Sequence, residues 1–147
     1  MIEVKKEDYY LYFRSKAPYE DLESNLDKFM KTGNDIYLDY SCFHAQQCIE
    51  LLLKGILQYF DIEFPTSGGQ GHNIKSLLNL INENTPINFY SKNRLFSLAD
   101  TISKWETQGR YGEGVKTKVD TVRNIKNIYD EIDESFLQFR YSQENKY

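Results

Sequence analysis

A chain of 147 residues with 40% hydrophobic and 27% charged positions has room for one packed core and is too apolar for wholesale disorder. Its formal charge of −4 removes the bulk field that draws proteins onto phosphate backbones, so any nucleic-acid contact has to come from a local basic patch. With 12 Tyr and 9 Phe but a single Trp, much of the buried area must come from rings, and some tyrosines belong at the boundary between core and solvent.

The three prolines, Pro18, Pro65 and Pro86, stand outside the long periodic runs and leave those runs free to be helical. A first helix opens at Pro18 and carries Tyr19, Leu22, Leu26 and Phe29 at three- and four-residue steps before Gly33. A second runs from Asp35 to Phe60, with Leu38, Cys42, Ala45, Ile49, Leu52, Ile56 and Tyr59 on one stripe. At about 1.5 Å per residue it spans on the order of 39 Å, the length of a small domain, and is the expected central mast. Gly55 within it weakens the helix by about 1 kcal/mol relative to Ala and lets a neighbouring helix come close. After Pro65 and the glycine-rich stretch from Ser67 to Gly71, Ile74, Leu77, Leu78 and Ile81 mark a third helix that starts near His72 and Asn73. Leu95, Leu98, Ala99, Ile102 and Trp105 mark a fourth, ended by Gly109 to Gly114. A fifth begins near Val115 and carries Val122, Ile125, Tyr129, Ile132, Phe136 and Phe139 over about 25 residues. Strand periodicity, repeats and low-complexity tracts are missing from the sequence, so the expected fold is all-α, an antiparallel up-and-down bundle of about five helices. One domain is expected over 1–147, with its core at about 18–140, an N-terminal arm at 1–17 and a polar tail at 141–147. The aromatic segment Asp8–Phe13 reads equally as a helical turn or as an arm across the bundle.

No run reaches the roughly 18 apolar residues of a membrane span, since Leu51–Phe60 is broken by Lys54 and Gln58. The first residues also lack the basic start and apolar run of a secretory signal, so a cytoplasmic chain without a membrane partner is expected. Cys42 and Cys48 lie on different faces of one helix, beyond bridging reach, and read as buried free thiols suited to a reducing compartment.

Few chemistries survive inspection. The two histidines, His44 and His72, form no ligand cluster with the cysteines, so neither a metal nor a cofactor is expected. The loop Gly68–Asn73 has no Gly-Lys-Ser/Thr ending and no preceding strand, and no serine lies in a nucleophile elbow. What stands out is a polar stripe on the mast: Tyr40, then Gln47, Glu50 and Lys54 in steps of three and four, with Glu50 and Lys54 in the favourable order for an ion pair. On periodicity alone the stripe is a solvated face, a structural polar network or a binding site.

The run from Phe43 through Ala45, Gln46, Gln47, Glu50, Lys54 and Gly55 to Leu57, followed by Pro65, His72 and Asn73 and later by Arg110-Tyr111, resembles the HEPN family over roughly Pro18 to Phe136. The resemblance implies a bundle of about five helices that commonly forms a homodimer. It also implies two branches. One accompanies nucleotidyltransferase-domain partners in toxin–antitoxin or defence pairs and is thought to bind nucleotides or RNA; the other cleaves RNA with an arginine followed, four to six intervening residues later, by a histidine. None of Arg14, Arg94, Arg110, Arg123 or Arg140 has that histidine: the window after Arg110 holds Val115, Lys116 and Thr117, and the window after Arg94 holds Ala99, Asp100 and Thr101. A proton carrier near neutral pH is thereby missing where cleavage needs it, and the enzymatic branch is disfavoured.

The expected site is a cleft between the second, third and fifth helices where Gln47, Glu50, Lys54, His72, Arg110 and Tyr111 converge. Lys54 and Arg110 would face an anion, Tyr111 a base, and His72 would add a donor at a helix start, with Gln47 and Glu50 orienting them. Phe43 and Leu51, apolar residues off the main ladder, point to further burial against a second copy.

Overall fold

The computed structural model describes residues 4–66, 73–105 and 115–144. Among these residues are a 3-10 turn at Lys6–Tyr9 and six helices: α1 (Tyr10–Arg14), α2 (Lys16–Thr32), α3 (Asp35–Tyr59), α4 (Ile74–Asn84), α5 (Lys92–Ser103) and α6 (Val115–Glu144). The described residues include no strand, and the five longer helices are the ones anticipated from periodicity.

Local chemistry sets the boundaries. Gly33 ends α2 at φ 68°, a left-handed conformation that costs glycine little, and its N–H donates to Phe29 O at 2.8 Å. Asn34 then caps α3, its side-chain oxygen accepting from Ile36 N at 3.1 Å. So short a turn makes α2 and α3 antiparallel neighbours packed along their lengths. Asn73 caps α4 in the same way, accepting from Ser76 N at 3.0 Å. Helix α2 begins at Lys16, two residues before Pro18; the proline sits in the first turn, where its missing N–H would have had no helical partner. Helix α6 is longer than the apolar ladder implied, 30 residues, and Tyr141–Glu144 of the expected tail stay helical.

The mast is α3, which packs against every other described helix. Leu38, Cys42, Ala45, Ile49, Leu52 and Ile56 of the anticipated stripe are all buried, as are Leu53 and Leu57 beside it, whereas Tyr59 is only half-buried. Truncating any one of these leucines or isoleucines to alanine would cost about 2–5 kcal/mol. Both cysteines are buried, and neither is in a disulfide. Among the described residues, no helix is long and apolar enough to cross a membrane.

The N-terminal segment is helical and belongs to the core. Tyr9 and Tyr12 are buried, and α1 lies against α3 at Gly55, where a Cβ would meet Tyr12 N at 2.2 Å and Tyr12 Cα at 2.5 Å. Glycine is thus required at position 55 by a backbone approach. Gln58, one turn further on, accepts from Leu11 N at 3.1 Å and fixes the register of α1 on the mast.

Candidate functional site

Three of the six expected site residues lie on α3. Glu50 and Lys54, one helical turn apart, form an ion pair with Lys54 Nζ 3.1 Å from Glu50 Oε2, and each side chain is only 10% exposed. This is no solvated face. The other carboxylate oxygen of Glu50 accepts from Gln46 Nε2 at 2.7 Å, and Gln46 itself is 1% exposed. The ammonium of Lys54 also lies 5.9 Å from the centre of the Phe64 ring, on the segment that leaves the mast. The chain Gln46–Glu50–Lys54 runs at i, i+4 steps, so its members stack on neighbouring turns.

Gln47 goes elsewhere. Its side-chain oxygen lies 3.2 Å from His44 Nδ1, and both residues are half-buried at the boundary of the helix. The residue that holds Glu50 is therefore Gln46, one position earlier than the stripe indicated. Helical spacing could not separate the two, because Gln47 and Gln46, three and four positions before Glu50, both lie beside it on the helix surface. His72, Arg110 and Tyr111 lie outside the described residues. Helix α4, whose start His72 precedes, packs on α3.

A second polar cluster, unforeseen from the sequence, joins α1 and the start of α2 to α6. Tyr12 Oη donates to Asp133 Oδ1 at 2.5 Å, Lys16 Nζ pairs with Asp133 Oδ2 at 2.5 Å, and Arg140 donates to the hydroxyls of Tyr9 and Tyr12, each at 3.1 Å. The guanidinium of Arg140 also lies 4.6 Å from the ring centres of both Tyr12 and Phe136. Ser15 gives its proton to Tyr12 O at 2.6 Å, so the Tyr129 hydroxyl, 2.7 Å away, is the donor to Ser15 Oγ. Burial pushes the Tyr129 phenol well above its ordinary range; burial does the same for Tyr12, reinforced by the Asp133 carboxylate, and for Tyr19, reinforced by Asp130. A signal for this cluster was in the sequence: Asp133 and Arg140 fall in register with the apolar ladder Tyr129, Ile132, Phe136. Charges in an apolar stripe need partners. Cys48, enclosed in the core, has its thiol pushed up by burial, which makes it inert as a nucleophile. Among the described residues, no group of three His, Cys, Asp or Glu side chains is placed to hold a metal ion.

The buried pair and its glutamine can accept hydrogen bonds, donate them and present one ammonium, but no acid–base couple with a histidine is assembled from the described residues. Neither the curated proteins nor the solved structures contain a match to this chain. The sequence model of the HEPN domain matches residues 19–134, from the first turns of α2 well into α6, and the chain belongs to the HEPN domain family.

Proposed function

We propose that this HEPN domain works by binding rather than by cutting RNA: it forms a homodimer and takes a nucleotide or a short stretch of RNA at the Glu50–Lys54 side of α3, in company with a nucleotidyltransferase-type partner of a toxin–antitoxin or defence pair. The observation that carries this reading is the burial of the ion pair. Removing two charges from water costs several kcal/mol per ion, and apolar residues of the same size would serve stability as well or better. A buried pair on the central helix, held by a buried glutamine, is therefore poorly explained by folding alone and is accounted for by a ligand that uses it. Lys54 is charge-balanced by Glu50, so an anionic ligand needs a second cation; this reading gives that role to Arg110, and gives Tyr111 and His72 to the same ligand. Phe64, under the Lys54 ammonium, offers an aromatic face to a base.

Thermal unfolding with ATP, ADP, GTP and short RNA oligomers tests the reading. A ligand at about 100 times its Kd adds about 2.7 kcal/mol to the folded state, which raises Tm by several degrees. If no nucleotide or oligomer raises Tm, the binding reading fails. RNA incubated with concentrated protein should stay intact; cleavage that vanishes in Arg110→Ala would put a ribonuclease in its place.

A second reading, a pure interaction protein, draws on the outer face of α3, where Ile36 is 47% and Tyr40 48% exposed. Under it, sedimentation would show a dimer that weakens in Tyr40→Glu, with no nucleotide response in any variant.

A further inference from the structure

Tyr90 is 99% exposed, yet the backbone that carries it is pinned on both sides. Before it, Ile87 and Phe89 are buried at 4% and 5%. After it, Ser91 donates from both N and Oγ to the two carboxylate oxygens of Glu131 on α6, each at 2.7 Å. A ring on a pinned backbone but wholly in water adds nothing to the core, and only its two side-chain torsions lose freedom when a partner covers it. Beside it runs a groove of two adjoining depressions, about 450 and 620 Å³, that share Asn88 and Ser135 and lie between the Pro86–Tyr90 loop and the outer side of α6. Ile87 and Phe139 give it apolar lining, and the side-chain amides of Asn88 and Gln138 give it groups that pair with a peptide backbone.

The charge of the groove selects the occupant. Glu131 accepts from neutral Ser91 groups and Glu134 from the neutral Gln138 amide at 2.7 Å, contacts that bring no positive charge to either carboxylate. Among the described lining residues Lys92 is the one cation against the two carboxylates of Glu131 and Glu134, a net negative balance unsuited to a phosphate backbone. We propose that this groove docks an extended segment of a partner protein through an arginine side chain, its guanidinium seated against the Glu131 and Glu134 carboxylates with the Tyr90 ring as its stacking face. The surface is separate from the Glu50–Lys54 chain on α3, and the inference does not depend on the reading proposed for that site.

The test uses the full chain, isotope-labelled for amide NMR, and two blocked seven-residue peptides identical except for a central arginine or its neutral isostere citrulline. The arginine peptide should shift the amides of Asn88, Tyr90, Ser91 and Ser135, and the citrulline peptide should bind at least about tenfold more weakly. Glu134→Gln and Tyr90→Ala, both at exposed positions that leave the core intact, should each weaken binding by about three- to tenfold, while Tyr40→Ala on α3 should leave it unchanged. Absence of shifts up to about 5 mM peptide, the weak end of specific recognition, would overturn the proposal. So would equal binding of the citrulline peptide, or shifts that map elsewhere. Concentration-dependent shifts of the same amides without peptide would identify a second copy of the chain as the occupant and overturn it as well.

Discussion

Replacing Lys54 by methionine keeps the length of the side chain and removes its charge, leaving the Glu50 carboxylate buried without that partner. Because the two side chains are only 10% exposed, water cannot screen the loss as it does for surface pairs. Breaking a buried pair from one side costs about 3–5 kcal/mol, and at about 2–4 °C per kcal/mol for a domain of this size the melting temperature should fall by roughly 10 °C. The double variant Glu50→Gln/Lys54→Met should recover most of that loss, since the amide introduced at position 50 still accepts from Gln46 and the charges of the pair are removed together. Urea unfolding of the two single variants and the double variant, followed by circular dichroism, gives the coupling energy as a double-mutant cycle. A Lys54→Met cost below about 1 kcal/mol would show the pair to be screened like a surface pair and refute its burial as the source of the cost. The double variant also separates folding from function: it should be stable and yet show no thermal response to nucleotide.

Three further outcomes are expected. Gly55→Ala drives a Cβ into the Tyr12 backbone at 2.2 Å, where no rotamer change brings relief; α1 should lift from the mast, with a loss of about 3 kcal/mol in urea unfolding and faster proteolytic removal of the N-terminal segment. Tyr129→Phe deletes the donor to buried Ser15 and should cost about 1–2 kcal/mol, against nearly nothing for Tyr90→Phe on the surface. The folded state raises the phenols of Tyr12, Tyr19 and Tyr129, so their stabilising contribution is fully present below the unfolded value of about 10 and is lost as pH rises beyond it. Near-ultraviolet phenolate absorbance should therefore rise in two stages, exposed tyrosines first and these three only with cooperative alkaline unfolding; a single non-cooperative stage near 10 would contradict the burial argument.

Residues 4–18 stand outside the stretch that the HEPN model matches, and so does Arg140, yet they help close the core of this chain. Tyr9, Tyr12, Ser15 and Lys16 all engage α6, through Arg140, Tyr129 and Asp133. The N-terminal segment is therefore a clasp between the first and last described elements rather than an appendage. A truncation designed on the family boundaries would remove Tyr12 from the groove at Gly55 and leave the Asp133 carboxylate without two of its donors.

How much was legible in advance depends on the range of the interaction. The helices from α2 to α6, their turn residues and most of the buried stripe on α3 follow from the order of the residues, because a 3.6-residue period and the conformational habits of Gly33 and Asn34 act within one or two turns. The Glu50–Lys54 contact was legible for the same reason: both ends sit on one helix. Its burial was not, since that depends on what the rest of the chain lays over it, and neither was the choice of Gln46 over Gln47, which turns on a single helical step and the packing around it. The contact of Tyr12 with Gly55, and the links from Tyr12 to Asp133 and from Tyr9 to Arg140, join residues tens to more than a hundred positions apart. No local period encodes such pairs; they exist only once the mast and the last helix have been packed side by side.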